Sequence, residues 1–176
     1  MQMLHAGGMA VLADGRRPPD EHNPGGYFEF EEVKNSRNDL SWLDQAGGKV
    51  VKVVHLLLQY LPASRDYRVI FMLRDLGEVV QSQRIMLKQQ GRPTAELTDA
   101  ALAAIFAKQL ASVREQLVGS PNFRVLYVNY RDVIDHPADM AGQINLFLGG
   151  NMALAQMAAA VNPALYRQRK TMPRNL

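Results

Sequence analysis

The sequence predicts a mixed α/β fold with a largely parallel sheet, and three observations carry that prediction. Short apolar runs at 50–54, 68–73 and 123–128 are rich in Val, Ile and Phe and read without the alternation of a half-exposed strand. Such runs suit parallel strands covered on both faces. Each run is followed by a helical pattern, and strands alternating with helices imply a βαβ-type arrangement. The chain has 176 residues, 47% apolar and 21% charged, which is enough to bury a core and fits one domain spanning residues 1–176.

The elements follow in order. Residues 1–6 read as the second half of a helix that closes at Gly7-Gly8. In a parallel fold a strand precedes the first helix, and the turn between them is where phosphate loops sit. The expectation is therefore a fold lacking its first strand and that turn. Residues 14–26 are polar, with Pro18-Pro19, Pro24 and Gly25-Gly26, and form a loop long enough to be functional. The stretch Asn23-Pro-Gly-Gly-Tyr27-Phe-Glu-Phe30 reads as a turn entering an extended segment, along which Glu29, Glu31 and Glu32 form a charged face.

After the run at 68–73, residues 75–90 carry Leu76, Val79, Val80, Met86 and Leu87 on one side of a helix. From 97 to 118, Leu102, Phe106, Leu110, Val113 and Leu117 recur at spacings of four, four, three and four, an amphipathic helix. Thr98 and Asp99 can cap its start and Gly119 ends it. A further helix covers 137–148 and stops at Gly149-Gly150, and 151–161 adds a short one.

Composition excludes several classes. The chain has no cysteine, which removes disulfide scaffolds, thiol nucleophiles and Cys-ligated zinc. No run of eighteen apolar residues suggests a membrane-spanning helix. The net charge of +3 is carried by 14 arginines against six lysines, without the basic block of a nucleic-acid tail. Arginine suits bidentate recognition of phosphate and carboxylate. The N-terminus lacks the positive region of a signal peptide, so the expected location is cytoplasmic. His5, His22 and His136 show no metal-ligand spacing, and no metal is expected.

The candidate chemistry lies at the end of the 68–73 run. Ligands of parallel α/β folds bind at the carboxyl ends of strands, and an arginine there meets a phosphate with a planar fork of donors. Arg74 leaves this run, and Ser82 follows eight residues later on the next helix. A second reading has Arg74 paired with Asp75 or Glu78 while Ser82 faces water; the sequence leaves both open.

The segment Tyr67-Arg-Val-Ile-Phe-Met-Leu-Arg74-Asp75, followed by Ser82-Gln83, resembles the 3′-phosphate motif of sulfotransferases that use 3′-phosphoadenosine-5′-phosphosulfate (PAPS). A bacterial branch of that family is the most similar. Phe123-Arg-Val-Leu-Tyr-Val-Asn-Tyr130-Arg-Asp-Val resembles the family's later strand, and Asp135-His-Pro with the helix to Leu148 resembles its continuation. Met3-Leu-His-Ala-Gly-Gly and Gly26-Tyr-Phe-Glu-Phe-Glu look like that branch just after its phosphosulfate loop. The resemblance implies a P-loop nucleotide-kinase-like sulfotransferase fold, N-terminally truncated.

It further implies Arg74 and Ser82 on the 3′-phosphate, Tyr130 beside the adenine, and PAPS as sulfuryl donor. The acceptor would be a hydroxyl or amine, with no nucleic acid or membrane as partner, and the loop at 14–26 would select it. The family's catalytic histidine follows a strand and precedes a Pro-containing turn by seven residues. His55, seven before Pro62, occupies that place. The accompanying lysine stands two residues upstream in the family, whereas Lys52 stands three upstream here. Arg167, Arg169 and Lys170 form a basic tail that either closes over the nucleotide or is a solvated terminus. The family's 5′-phosphosulfate loop would lie immediately before Met1. Three outcomes stay open: an enzyme, a non-catalytic binding module for an adenine nucleotide with a 3′-phosphate, or a structural remnant.

Overall fold

The computed structural model describes residues 1–20, 23–89, 91 and 97–166. It is a mixed helix–strand architecture built on a small parallel sheet. Strand β1 is Tyr67–Leu73 and β2 is Phe123–Asn129. They pair in parallel from Tyr67 opposite Phe123 to Leu73 opposite Asn129. A parallel pair needs a crossover, and here it contains α2 (Leu76–Gln89) and α3 (Asp99–Val118).

The two faces of the sheet bury different cores. Phe71, Val69, Leu73, Phe123, Val125 and Tyr127 lie on one face and pack with Val113 and Leu117 of α3 and with Leu58. On the other face, Ile70, Leu126 and Val128 meet Met3 and Leu4 of α1 (Gln2–Ala6), Ile144 of the helix at Pro137–Leu148, and Met157 of the helix at Leu154–Ala159. This odd–even division follows from the period of two along a strand.

The remaining chain folds against these layers. Single 3-10 turns occupy Glu31–Asn35, Ser41–Gln45 and His55–Tyr60. The first two hold Val33, Trp42 and Leu43 in a core of their own with Leu12. The Trp42 indole N–H donates to Ser36 Oγ at 3.1 Å, and that hydroxyl donates to the Val33 carbonyl at 2.6 Å. The buried polar pair is thereby satisfied. In chain order after β2, α4 is Tyr130–Asp135, α5 is Pro137–Leu148 and α6 is Leu154–Ala159. Gly149 ends α5 at φ 118°, a conformation that only glycine adopts without strain. Arg68 Nη1 donates to the Leu148 carbonyl beside it.

Several expectations hold. Helix α3 has Thr98 as its N-cap, with Oγ1 accepting from the Ala101 N–H at 3.2 Å. Its stripe is buried most deeply at Val113 and Leu117. Others need correction. The run at 50–54 is not a sheet strand: Val50 forms one isolated parallel bridge with Val11. Its N–H donates to Ala10 and its carbonyl accepts from Leu12. Residues 51–53 make no backbone hydrogen bond among the described residues. Their side chains in fact alternate, with Val51 and Val53 inward and Lys52 and Val54 outward, so two-sided burial was the wrong inference. Met86 is exposed on α2 rather than buried. Glu31 and Glu32 lie in a 3-10 turn rather than along an extended segment. Among the described residues no helix is long and apolar enough to cross a membrane.

Candidate functional site

The register of the sheet builds the site. Because Leu73 faces Asn129, the next residue on each strand, Arg74 and Tyr130, emerges beside the other. Parallel neighbours lie about 4.8 Å apart, and the Arg74 guanidinium carbon sits 5.0 Å from the centre of the Tyr130 ring. A second ring, Tyr166, lies 5.6 Å from the same carbon. The two tyrosines meet edge to face at 5.4 Å and 82°. Arg74 thus lies against a pair of touching rings, both at cation–π distance.

Helix α2 supplies the third wall. Asp75 caps its start, its Oδ1 accepting from the Glu78 N–H at 3.1 Å. This Asp-x-x-Glu spacing places Glu78 in the first turn. Glu78 is 3% exposed. Its Oε2 accepts from Arg74 Nε at 3.3 Å, and its Oε1 accepts from the Tyr166 hydroxyl at 2.6 Å. That bond to a carboxylate raises the Tyr166 pKa above the ordinary phenol value. Tyr166 is therefore a neutral donor at neutral pH.

The guanidinium carries five N–H donors. Its Nε is engaged, whereas Nη1 and Nη2 make no hydrogen bond to any described residue. The side chain keeps 28% of its surface in water. The four remaining donors are thus oriented, partly desolvated and available to an anion. Ser82 stands one helical turn beyond Glu78, about 6 Å along the axis. It is half-buried. The Arg74–Glu78 pair is the one named in the second of the two readings that the sequence left open, and it engages the guanidinium through Nε.

His55 opens the 3-10 turn His55–Tyr60. Its Nε2 is buried without a hydrogen-bond partner among the described residues. Burial lowers its pKa below the ordinary imidazole value, which keeps the ring neutral and able to accept a proton. No hydrogen bond ties it to Arg74, Ser82 or Tyr130 among the described residues. The Lys52 ammonium is turned to the 27–29 segment, donating to the Tyr27 carbonyl and Glu29 Oε1, both at 3.3 Å.

Described side chains of the 14–26 loop are tied to the segment that follows it. Asp20 Oδ2 accepts from the Tyr27 hydroxyl at 2.7 Å. Arg17 lies 3.4 Å over the Tyr27 ring and pairs with Glu29 at 3.5 Å. Phe28 takes φ 51°, strained for a side chain of that size. A cavity of about 160 Å³ lies between residues 13–19 and 26–29. An open cleft of about 350 Å³ is lined by Arg16, Glu31, Glu32, Lys34, Asn35 and Asp39. Neither lining includes Arg74, Ser82, Tyr130 or His55. The arginine site is thus recognised by its chemistry and not by enclosed volume.

His22 and the basic tail at Arg167, Arg169 and Lys170 lie outside the described residues. Among those described, no group of three or more His, Asp or Glu side chains is placed to hold a metal. Sequence reasoning did not find Tyr166, which lies 88 residues from its partner Glu78 in a segment without periodic pattern. The Asp75-x-x-Glu78 capping signal was available for Glu78, which appeared only as a neutralising partner of Arg74. In comparisons with known proteins, no family model, curated protein or solved structure matches the chain.

Proposed function

We propose that this chain is a sulfotransferase-like domain with a P-loop nucleotide-kinase-like fold, which binds the 3′-phosphoadenosine end of PAPS at the carboxyl ends of β1 and β2. Arg74 and Ser82 hold the 3′-phosphate and Tyr130 packs against the adenine. In the reaction this serves, the sulfuryl group passes in line from the donor's 5′-phosphate to an acceptor hydroxyl or amine. The donor S–O bond breaks, a new S–O or S–N bond forms, and the acceptor loses a proton. Catalysis of this kind comes mainly from positioning and electrostatics. His55, neutral through burial, is assigned that proton, and using it requires the acceptor to uncover Nε2. The loop at 14–26, with its Arg17, Tyr27 and Glu29 group, is assigned acceptor choice.

The observation that carries the proposal is the state of Arg74. Its Nη1 and Nη2 donors have no partner among the described residues, and it stands 5.0 Å from an aromatic ring at the mouth of two parallel strands. A phosphate and a base attached to one ribose match that pair of features. The test is calorimetric binding of 3′-phosphoadenosine-5′-phosphate to the chain and to Arg74→Ala. Binding by the parent and a loss of about 1.5–3 kcal/mol in the variant are expected, the range of a charge-assisted hydrogen bond. Absence of binding to the folded parent chain rejects the proposal. Turnover of PAPS with a panel of hydroxyl and amine acceptors then separates an enzyme from a binding module.

A further inference from the structure

We infer that Glu78 is a positioning residue, which fixes the Arg74 guanidinium so that its two Nη groups face a bound phosphate. The inference rests on the reading of Arg74 as the 3′-phosphate grip. Arginine meets a carboxylate most strongly through two parallel N–H bonds. Here one Glu78 oxygen meets the guanidinium through Nε alone, at 3.3 Å, and the other accepts from the Tyr166 hydroxyl at 2.6 Å. The carboxylate is thereby shared between Arg74 and Tyr166 rather than given to the guanidinium through both oxygens. It holds the inner edge of the guanidinium and leaves the outer edge open.

Stability alone does not account for a carboxylate in this place. Glu78 is 3% exposed, and a buried ion pair can often be replaced by apolar residues of similar volume at no cost in stability. A first-turn position favours negative charge through the helix dipole, but an acid gains from that dipole without being buried. What the buried acid adds is orientation. It joins Arg74 at the end of β1 to Tyr166, and Tyr166 in turn packs on Tyr130 after β2. One side chain thus sets the guanidinium and the ring beside it.

Charge and orientation make opposite forecasts. If Glu78 merely neutralised Arg74, Glu78→Gln would strengthen binding of a phosphate. If Glu78 orients Arg74, the same variant weakens it. The measurement uses the full chain with two probes, 3′-phosphoadenosine-5′-phosphate and adenosine 5′-monophosphate, whose ratio of dissociation constants isolates the 3′-phosphate. Glu78→Gln is expected to reduce that ratio by about tenfold. The Arg74 Nε–H signal in ¹⁵N-arginine NMR, assigned by its loss in Arg74→Lys, is expected to be slowly exchanging in the parent and averaged in Glu78→Gln. Tyr166→Phe removes the hydroxyl that donates to Glu78 and keeps the carboxylate; it serves if Glu78→Gln does not fold. Its ratio is expected to fall in the same direction by a smaller factor. A parent that prefers the 3′-phosphorylated probe while folded Glu78→Gln prefers it equally or more overturns the positioning role alone. A folded parent with no preference overturns the 3′-phosphate reading and this inference together.

Discussion

The molecule contains the same trio of side chains twice. At the strand ends, Arg74 faces Tyr130 and pairs with Glu78; in the loop, Arg17 lies over Tyr27 and pairs with Glu29. The loop version has the closer ring, 3.4 Å against 5.0 Å. Burial is what separates them. The Glu29 side chain keeps 26% of its surface in water against 4% for Glu78. Glu29 also shares its charge with Lys52. The exposed trio is a solvated network that shapes a loop, worth little in stability and screened by salt. The trio around the buried Glu78 joins Arg74 at the end of β1 and Glu78 in the first turn of α2, four residues apart, to Tyr130 at the start of α4, so the fold must bring the ring to the ion pair. Close ring contact alone does not identify a site; a carboxylate that the fold keeps out of water is the stronger sign.

Paired substitutions sharpen this contrast. Arg74→Ala removes a cation from a buried carboxylate and is expected to cost about 2 kcal/mol in a urea titration. That lies below the 3–5 kcal/mol typical of fully buried pairs, because Arg74 is partly hydrated. Arg17→Ala is expected to cost less than about 1 kcal/mol. Equal costs for the two arginines would dissolve the comparison. Tyr166→Phe leaves a buried Glu78 oxygen short of one donor and is expected to cost about 1–2 kcal/mol. Tyr27→Phe, whose hydroxyl bonds the exposed Asp20, is expected to stay within about 0.5 kcal/mol. Thermal melts of the two variants decide it.

The smallest effect concerns His55. Burial depresses its folded-state pKa below the unfolded value, so the folded form binds fewer protons. Its contribution to stability is complete above the unfolded pKa and is lost as pH falls through the folded one. The parent chain is expected to lose melting temperature between neutral pH and about pH 5 more steeply than His55→Phe. Parallel pH profiles would mean that His55 exchanges protons freely with water in the folded state.

Much of the frame was legible in the sequence because it rests on local signals. The stripe from Leu102 to Leu117, the Thr98 cap and the Gly149 stop each act within a few residues. That Arg74 and Tyr130 each follow a strand was legible as well, since both leave apolar runs, and those runs pair in register. The run at 50–54 misled because an extended, partly buried segment looks the same with or without a neighbouring strand. Lys52 in its centre was the available warning. The Glu78–Tyr166 bond could not be read, because nothing local ties residue 166 to the start of α2. The same holds for the single 3-10 turns at 31–35, 41–45 and 55–60, too short to develop a period.

The central claim is that Arg74 grips a 3′-phosphate, and phosphorus NMR reads that contact directly. Titrating the chain into 3′-phosphoadenosine-5′-phosphate should shift and broaden the 3′-phosphate resonance more than the 5′ one, and Arg74→Ala should abolish the difference. If the two phosphates respond equally, or neither responds to a folded chain, the nucleotide does not bind through Arg74 and the proposed function is wrong.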